Sequence, residues 1–111
     1  MGVTNYEHTL NTFALLVKER GIAEVLIRSI NTGSNTYRIR MRYTPSEGEV
    51  KFSIDKVYKT GRFLGTIDID RVSEYGLEYR SKSLGSIPAS VSKAIVQSYM
   101  DANKLLNTHR R

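Results

Sequence analysis

The chain has 111 residues, enough for one domain with a modest but real core. It contains no cysteine, which excludes disulfides, thiol catalysis and cysteine zinc sites and fits a reducing compartment. Its net charge is +6 with a pI near 9.7, which favours acidic partners.

An N-terminal helix comes first. Thr4 followed by Glu7 reads as a capping box, Leu10, Phe13, Ala14 and Val17 make an apolar stripe at helical spacing, and Gly21 is a natural stop. The middle is β-rich. Strands are expected over Ile22 to Ile30, Tyr37 to Tyr43, Glu49 to Tyr58 and Phe63 to Ile69. Turn-forming residues separate them: Asn31–Asn35, Thr44–Gly48 and Lys59–Arg62. Val57 falls out of phase with Val50, Phe52 and Ile54, which predicts a bulge near Asp55 and Lys56. Residues 70–80 fit either a fifth strand with Tyr75, Leu77 and Tyr79 inward, or a turn around Glu74–Gly76 followed by a short strand.

A long helix ends the chain. Ser86 or Ile87 is placed to cap it, with Pro88 in the first turn, where a missing N–H costs nothing. Val91, Ala94, Ile95, Ser98, Ala102 and Leu105 line one stripe. Tyr99, Met100 and Leu106 lie off that stripe and offer a surface for a homodimer, unless the buried stripe is simply wide. The basic tail 107–111 reads as frayed.

These elements define a single basic α+β domain over residues 1–111. Its expected architecture is an antiparallel meander of four to five strands, with the N-terminal and long C-terminal helices packed on one face. No apolar run approaches the roughly 20 residues of a membrane span. The N-terminus MGVTNYEHTL has neither the basic nor the apolar region of a secretory signal, so a cytoplasmic location is the expectation.

The segment YRIRMRY, Tyr37 to Tyr43, assigns the faces. Tyr37, Ile39, Met41 and Tyr43 alternate with Arg38, Arg40 and Arg42, so the arginines belong on the water side, with Lys51 and Ser53 beside them. Residues 28–62 hold eight basic and three acidic side chains, and arginine outnumbers lysine along the whole chain. Guanidinium groups on an open sheet suit a phosphate backbone, where counterion release drives binding without reading sequence.

The expected function is therefore non-enzymatic nucleic-acid binding, with RNA or single strands favoured. Arg38, Arg40, Arg42 and Lys51 would contact phosphates, and Lys56, Lys59 and Arg62 would extend the track. Tyr58 and Phe63, with Tyr43 near by, would stack on bases, and Arg110 and Arg111 would add a mobile contact. The plain alternative is a solvated face carrying cross-strand pairs such as Arg40 with Asp55. A functional alternative is a protein adaptor or assembly subunit using the same face or the last helix.

The order of elements resembles that of the Alu-RNA-binding proteins of the signal recognition particle. The strand pair from Arg62 to Arg80 departs from that likeness. GXXG loops, RNP-type runs and the RRM element order are missing.

Signals for catalysis are thin. Asp68 and Asp70 put two carboxylates on one side of a strand, short of the three or four that a two-metal site needs. Lys59-Thr-Gly61 and Ser90-Val-Ser-Lys93 match fragments of penicillin-recognising enzymes, but in the wrong order and without a third element. His8 and His109 have no serine or carboxylate at a telling spacing. No cofactor or metal is expected.

Overall fold

The computed structural model describes residues 5–81 and 83–109. Helix α1 spans Asn5–Arg20, and five strands follow: β1 Ala23–Asn31, β2 Asn35–Tyr43, β3 Val50–Tyr58, β4 Phe63–Ser73 and β5 Gly76–Tyr79. Helix α2, Ala89–His109, closes the chain. The strands form one antiparallel sheet in the order β1-β2-β3-β4-β5. Both helices pack on one face of it, so the α+β meander expected from the sequence is the observed fold. No described helix is long and apolar enough to cross a membrane.

The core lies between the helices and the inward rows of the sheet. From α1 it takes Leu10, Phe13 and Ala14, and from β2 Tyr37, Ile39, Met41 and Tyr43. From β3 it takes Val50, Phe52 and Ile54, and from α2 Val91, Ala94, Ile95, Ala102 and Leu106. Removing one such aliphatic or aromatic side chain from water contributes about 1.5–3 kcal/mol. Gly21 ends α1 at φ 76°, where its N–H donates to the Val17 carbonyl over 2.8 Å. Thr4, the expected cap, lies outside the described residues.

Several details differ from the sequence expectation. Pro88 sits just before α2 rather than in its first turn, because its carbonyl accepts the first helical bond, from Ser92 at 3.0 Å. The inner stripe of α2 runs to Leu106, which is buried, with Leu105 only partly covered. Tyr99 is partly buried as well, so Met100 alone of the three off-stripe residues is exposed, at 46%. The stripe is thus wide, and the surface expected for a homodimer through α2 is mostly spent on the core. The helix continues to His109, so residues 107–109 are helical rather than frayed, and Arg110 and Arg111 lie outside the described residues.

The ambiguous stretch resolves as a continuation of β4 to Ser73, a turn at Glu74 and Tyr75, and the short strand β5. Leu77 and Tyr79 pack against the core, whereas Tyr75 is 91% exposed. A tyrosine at the tip of a two-residue turn has no neighbouring strand to cover it.

The bulge near Val57 is on the other strand. β2 and β3 pair without interruption from Asn35↔Tyr58 to Tyr43↔Val50. The extra residue is Leu64 in β4, since Lys56 faces Gly65 while Val57 faces Phe63. Further shifts occur at Ile27 in β1 and at Asp70 in β4.

Candidate nucleic-acid interface

Strand alternation and the register fix what the open face presents. Three rows cross β2, β3 and β4, namely Thr36–Val57–Phe63, Arg38–Asp55–Thr66 and Arg40–Ser53–Asp68, and a fourth, Arg42–Lys51, crosses β2 and β3. On β1, Ser29 stands beside Arg38, Leu26 beside Arg40 and Glu24 beside Arg42. The three arginines, Lys51 and Ser53 therefore lie together on the face away from the helices, as their alternation in sequence implies, with Ser53 buried.

Acidic side chains interleave with that row. Arg40 Nε donates to Asp55 Oδ2 at 2.9 Å, and Thr66 Oγ1 donates to Asp55 Oδ1 at 2.9 Å. Arg42 lies 3.6 Å from Glu47 and Lys51 3.3 Å from Glu49. Like charges in a strand row repel, and these carboxylates offset the repulsion. Arg38, Lys59 and Arg62 form no ion pair among the described residues.

Those three cations share one end of the sheet. Tyr58 N–H donates to the Arg62 carbonyl at 2.7 Å and Gly61 N–H to the Tyr58 carbonyl at 2.8 Å. A three-residue hairpin loop, Lys59-Thr60-Gly61, results, with Gly61 at φ 95° where a side chain would be strained. Lys59 N–H then donates to the Ser34 carbonyl at 2.8 Å, which fastens this loop to the β1–β2 turn. Lys59-Thr-Gly61 is accordingly a hairpin loop.

The aromatic residues divide. Phe63 is 60% exposed and lies on the open face beside Val57. Val57 is buried yet stands apart from the core between sheet and helices, so it and Phe63 form a small apolar platform on the water side. Arg38 sits two strands and one row away, about 12 Å by strand spacing and rise. Tyr58 is 39% exposed, but alternation turns it to the other side of β3 from Val57 and Phe63. Tyr43 is a core residue and cannot stack on a base.

Lys56 also leaves the expected track. Its side chain points toward the helix side, where Nζ donates to the Leu84 carbonyl at 2.7 Å and lies 5.9 Å from the Tyr37 ring centroid. Leu84 is held over Gly65, where an added Cβ would come within 2.9 Å of it. The ammonium is thus engaged in closing the core edge.

The carboxylates considered for metal chemistry are exposed and separate in role. Asp68 stands opposite Ser53, while Asp70 is the bulged residue and binds Arg80 Nε at 3.2 Å. Among the described residues no group of three or more His, Asp or Glu side chains is arranged to hold a metal ion. His8 is exposed on α1.

Sequence reasoning named the cations but not their differing availability. It missed Thr66 and Glu47 as partners and Val57 as part of the open face. The out-of-phase Val57 was the available signal for the last of these. No family model, no curated protein and no solved structure matches the chain.

Proposed function

We propose that the chain binds single-stranded nucleic acid, RNA foremost, at the hairpin end of its open sheet face. One observation carries the reading: Phe63 is an exposed aromatic ring on the same face as Arg38, next to Arg62 and Lys59, and none of these cations has an acidic partner among the described residues. The guanidinium groups and the ammonium neutralise phosphates and release counterions. An unpaired base stacks on Phe63 over Val57. Arg40 continues the track, while Arg42 and Lys51 contribute less because Glu47 and Glu49 offset them. A flat strand face offers no recess for base edges, so affinity comes with little base discrimination.

The test is fluorescence-anisotropy binding of single-stranded RNA, single-stranded DNA and duplex DNA across a salt series. Expected is micromolar or tighter binding of the single strands, with a log-linear salt slope that shrinks by about one unit for each of Arg38 and Arg62 replaced by alanine. Absence of binding at about 50 mM salt defeats the reading. A second reading, a protein adaptor using the same face, draws on the interleaved Arg42–Glu47 and Lys51–Glu49 pairs, because alternating signs complement another protein better than a polyanion.

A further inference from the structure

A carboxylate in the middle of a phosphate-binding face is an anomaly. Asp55 repels the ligand that the surrounding arginines attract. It is nevertheless held with care. Its side chain is only 12% exposed, one oxygen accepts Arg40 Nε and the other accepts the Thr66 hydroxyl, each at 2.9 Å. The residue directly across the strands from Asp55 is Arg38, yet the carboxylate reaches diagonally to Arg40. The small side chain of Ser53, opposite Arg40, leaves room for the guanidinium to lie over β3 toward Asp55.

This arrangement has a chemical consequence. Binding through Nε uses one of the five N–H donors of the guanidinium and leaves the two terminal nitrogens for another acceptor. Arg40 remains 41% exposed, so that free edge faces water. A planar fork fixed at one edge has less rotamer freedom to lose when the other edge takes a phosphate in bidentate fashion. We infer that Asp55 and Thr66 are positioning residues: Thr66 orients the Asp55 carboxylate, Asp55 orients Arg40, and Arg40 presents its terminal nitrogens to a phosphate of the bound strand. The inference rests on the nucleic-acid reading of the same face and adds a second phosphate position next to Arg38, which forms no ion pair among the described residues.

The relay and simple electrostatics predict opposite signs for one substitution. Asp55→Asn adds one unit of positive charge to the face. If field alone governs binding, a fluorescein-labelled oligouridylate binds more tightly to the variant. If Asp55 positions Arg40, the variant binds roughly tenfold more weakly in spite of the added charge. Arg40→Lys keeps the charge but loses the planar fork that holds a phosphate through two parallel bonds while Nε stays on the carboxylate, and it also weakens binding roughly tenfold. The double variant loses little more than either single one, because both remove the same contact.

Thermal unfolding establishes that each variant is folded. If Asp55→Asn is not, Thr66→Val carries the test, being charge-neutral and of similar size, with an expected weakening of about threefold. Binding by Asp55→Asn that equals or exceeds the wild type overturns the relay, as does an unchanged Thr66→Val or strict additivity of Asp55→Asn with Arg40→Lys. When the wild type binds and Arg38→Ala weakens it, those outcomes leave the nucleic-acid reading standing. When the wild type fails to bind the oligouridylate at low salt, both are lost.

Discussion

At one end of the open face Arg42 and Lys51 pair with Glu47 and Glu49; toward the other, where Phe63 is exposed, Arg38, Lys59 and Arg62 form no ion pair among the described residues, the Asp55 across from Arg38 being taken by Arg40. Both ends belong to the same strands and carry the same kind of cation. They differ in what surrounds the charge. The Thr44–Gly48 turn is acidic and folds back on its strand ends, whereas the Lys59–Arg62 loop contributes only basic and neutral side chains. A count of arginines therefore overstates the surface that a polyanion meets, and the location of the turns decides which cations remain available.

The largest expected effect sets the two ends directly against each other. Replacing Arg38 and Arg62 together by alanine weakens binding of a single-stranded RNA by about 100-fold at low salt, whereas replacing Arg42 and Lys51 together costs only a few-fold. Equal losses from the two pairs, in the anisotropy salt series, break the comparison. Both pairs lie on the surface, so neither changes unfolding free energy by more than about 0.5 kcal/mol per site.

Next in size is the aromatic platform. Phe63→Ala removes the exposed ring on the open face, and affinity falls by about 1–2 kcal/mol if one base stacks there. Tyr58→Ala, on the opposite side of the hairpin, has a much smaller effect. Quenching or titration of binding with the two variants side by side checks which side of the hairpin the strand follows, and a larger loss from Tyr58→Ala moves the site around the edge.

Both ends rest on one scaffold, which a change on the helix side tests. The Tyr6 hydroxyl of α1 donates to Asp101 Oδ2 of α2 at 2.6 Å, while the Arg28 guanidinium lies 5.3 Å from its ring centroid. Burial first, and the bond to Asp101 second, push the Tyr6 phenol up to about 12. The folded value lies above the unfolded one, so the stabilisation is full below about pH 10 and is lost as pH rises through about 12. With Tyr6 only half-buried, the amount is on the order of 1 kcal/mol after allowance for solvent screening. Denaturant unfolding from pH 9 to 12 reads the effect as a difference between wild type and Tyr6→Phe, which lacks this component. Identical pH profiles for the two proteins remove Tyr6 as the source of any alkaline loss.

The uneven legibility of the chain has a physical basis. Tyr37–Tyr43 could be assigned to two faces from sequence because alternation is a property of the backbone alone, and the helices were equally plain from their apolar spacing. Partners were harder. The diagonal from Arg40 to Asp55 depends on register and on the small Ser53, and although that pair was foreseeable as a cross-strand contact, Thr66 enters only once β4 is aligned. Lys56 looked like part of the basic track because lysines are usually solvated; its inward turn follows from Val57 occupying the outer position and from the Leu84 carbonyl within reach. The bulge is misplaced by sequence for a related reason: a phase break in β3 looks the same whether β3 gains a residue or an apolar side chain simply faces outward beside Phe63.

The smallest effect gives the sharpest contrast. Glu47 is pinned in its turn: its N–H donates to the Thr44 carbonyl at 3.2 Å, and its Oε1 accepts the Thr44 hydroxyl at 3.2 Å, which leaves Oε2 3.6 Å from Arg42. This carboxylate acts on Arg42 from outside the row, without the short Nε bond that joins Asp55 to Arg40. Glu47→Gln therefore releases Arg42 toward solvent and tightens RNA binding by about two- to threefold, with a slightly steeper salt slope and no measurable change in stability. Asp55→Asn makes the same change in net charge and is expected to weaken binding. Measured together, the two substitutions separate charge from placement: if both tighten binding, only the field matters on this face, and if they diverge in sign, the carboxylate inside the row serves the arginine while the one at its end restrains it.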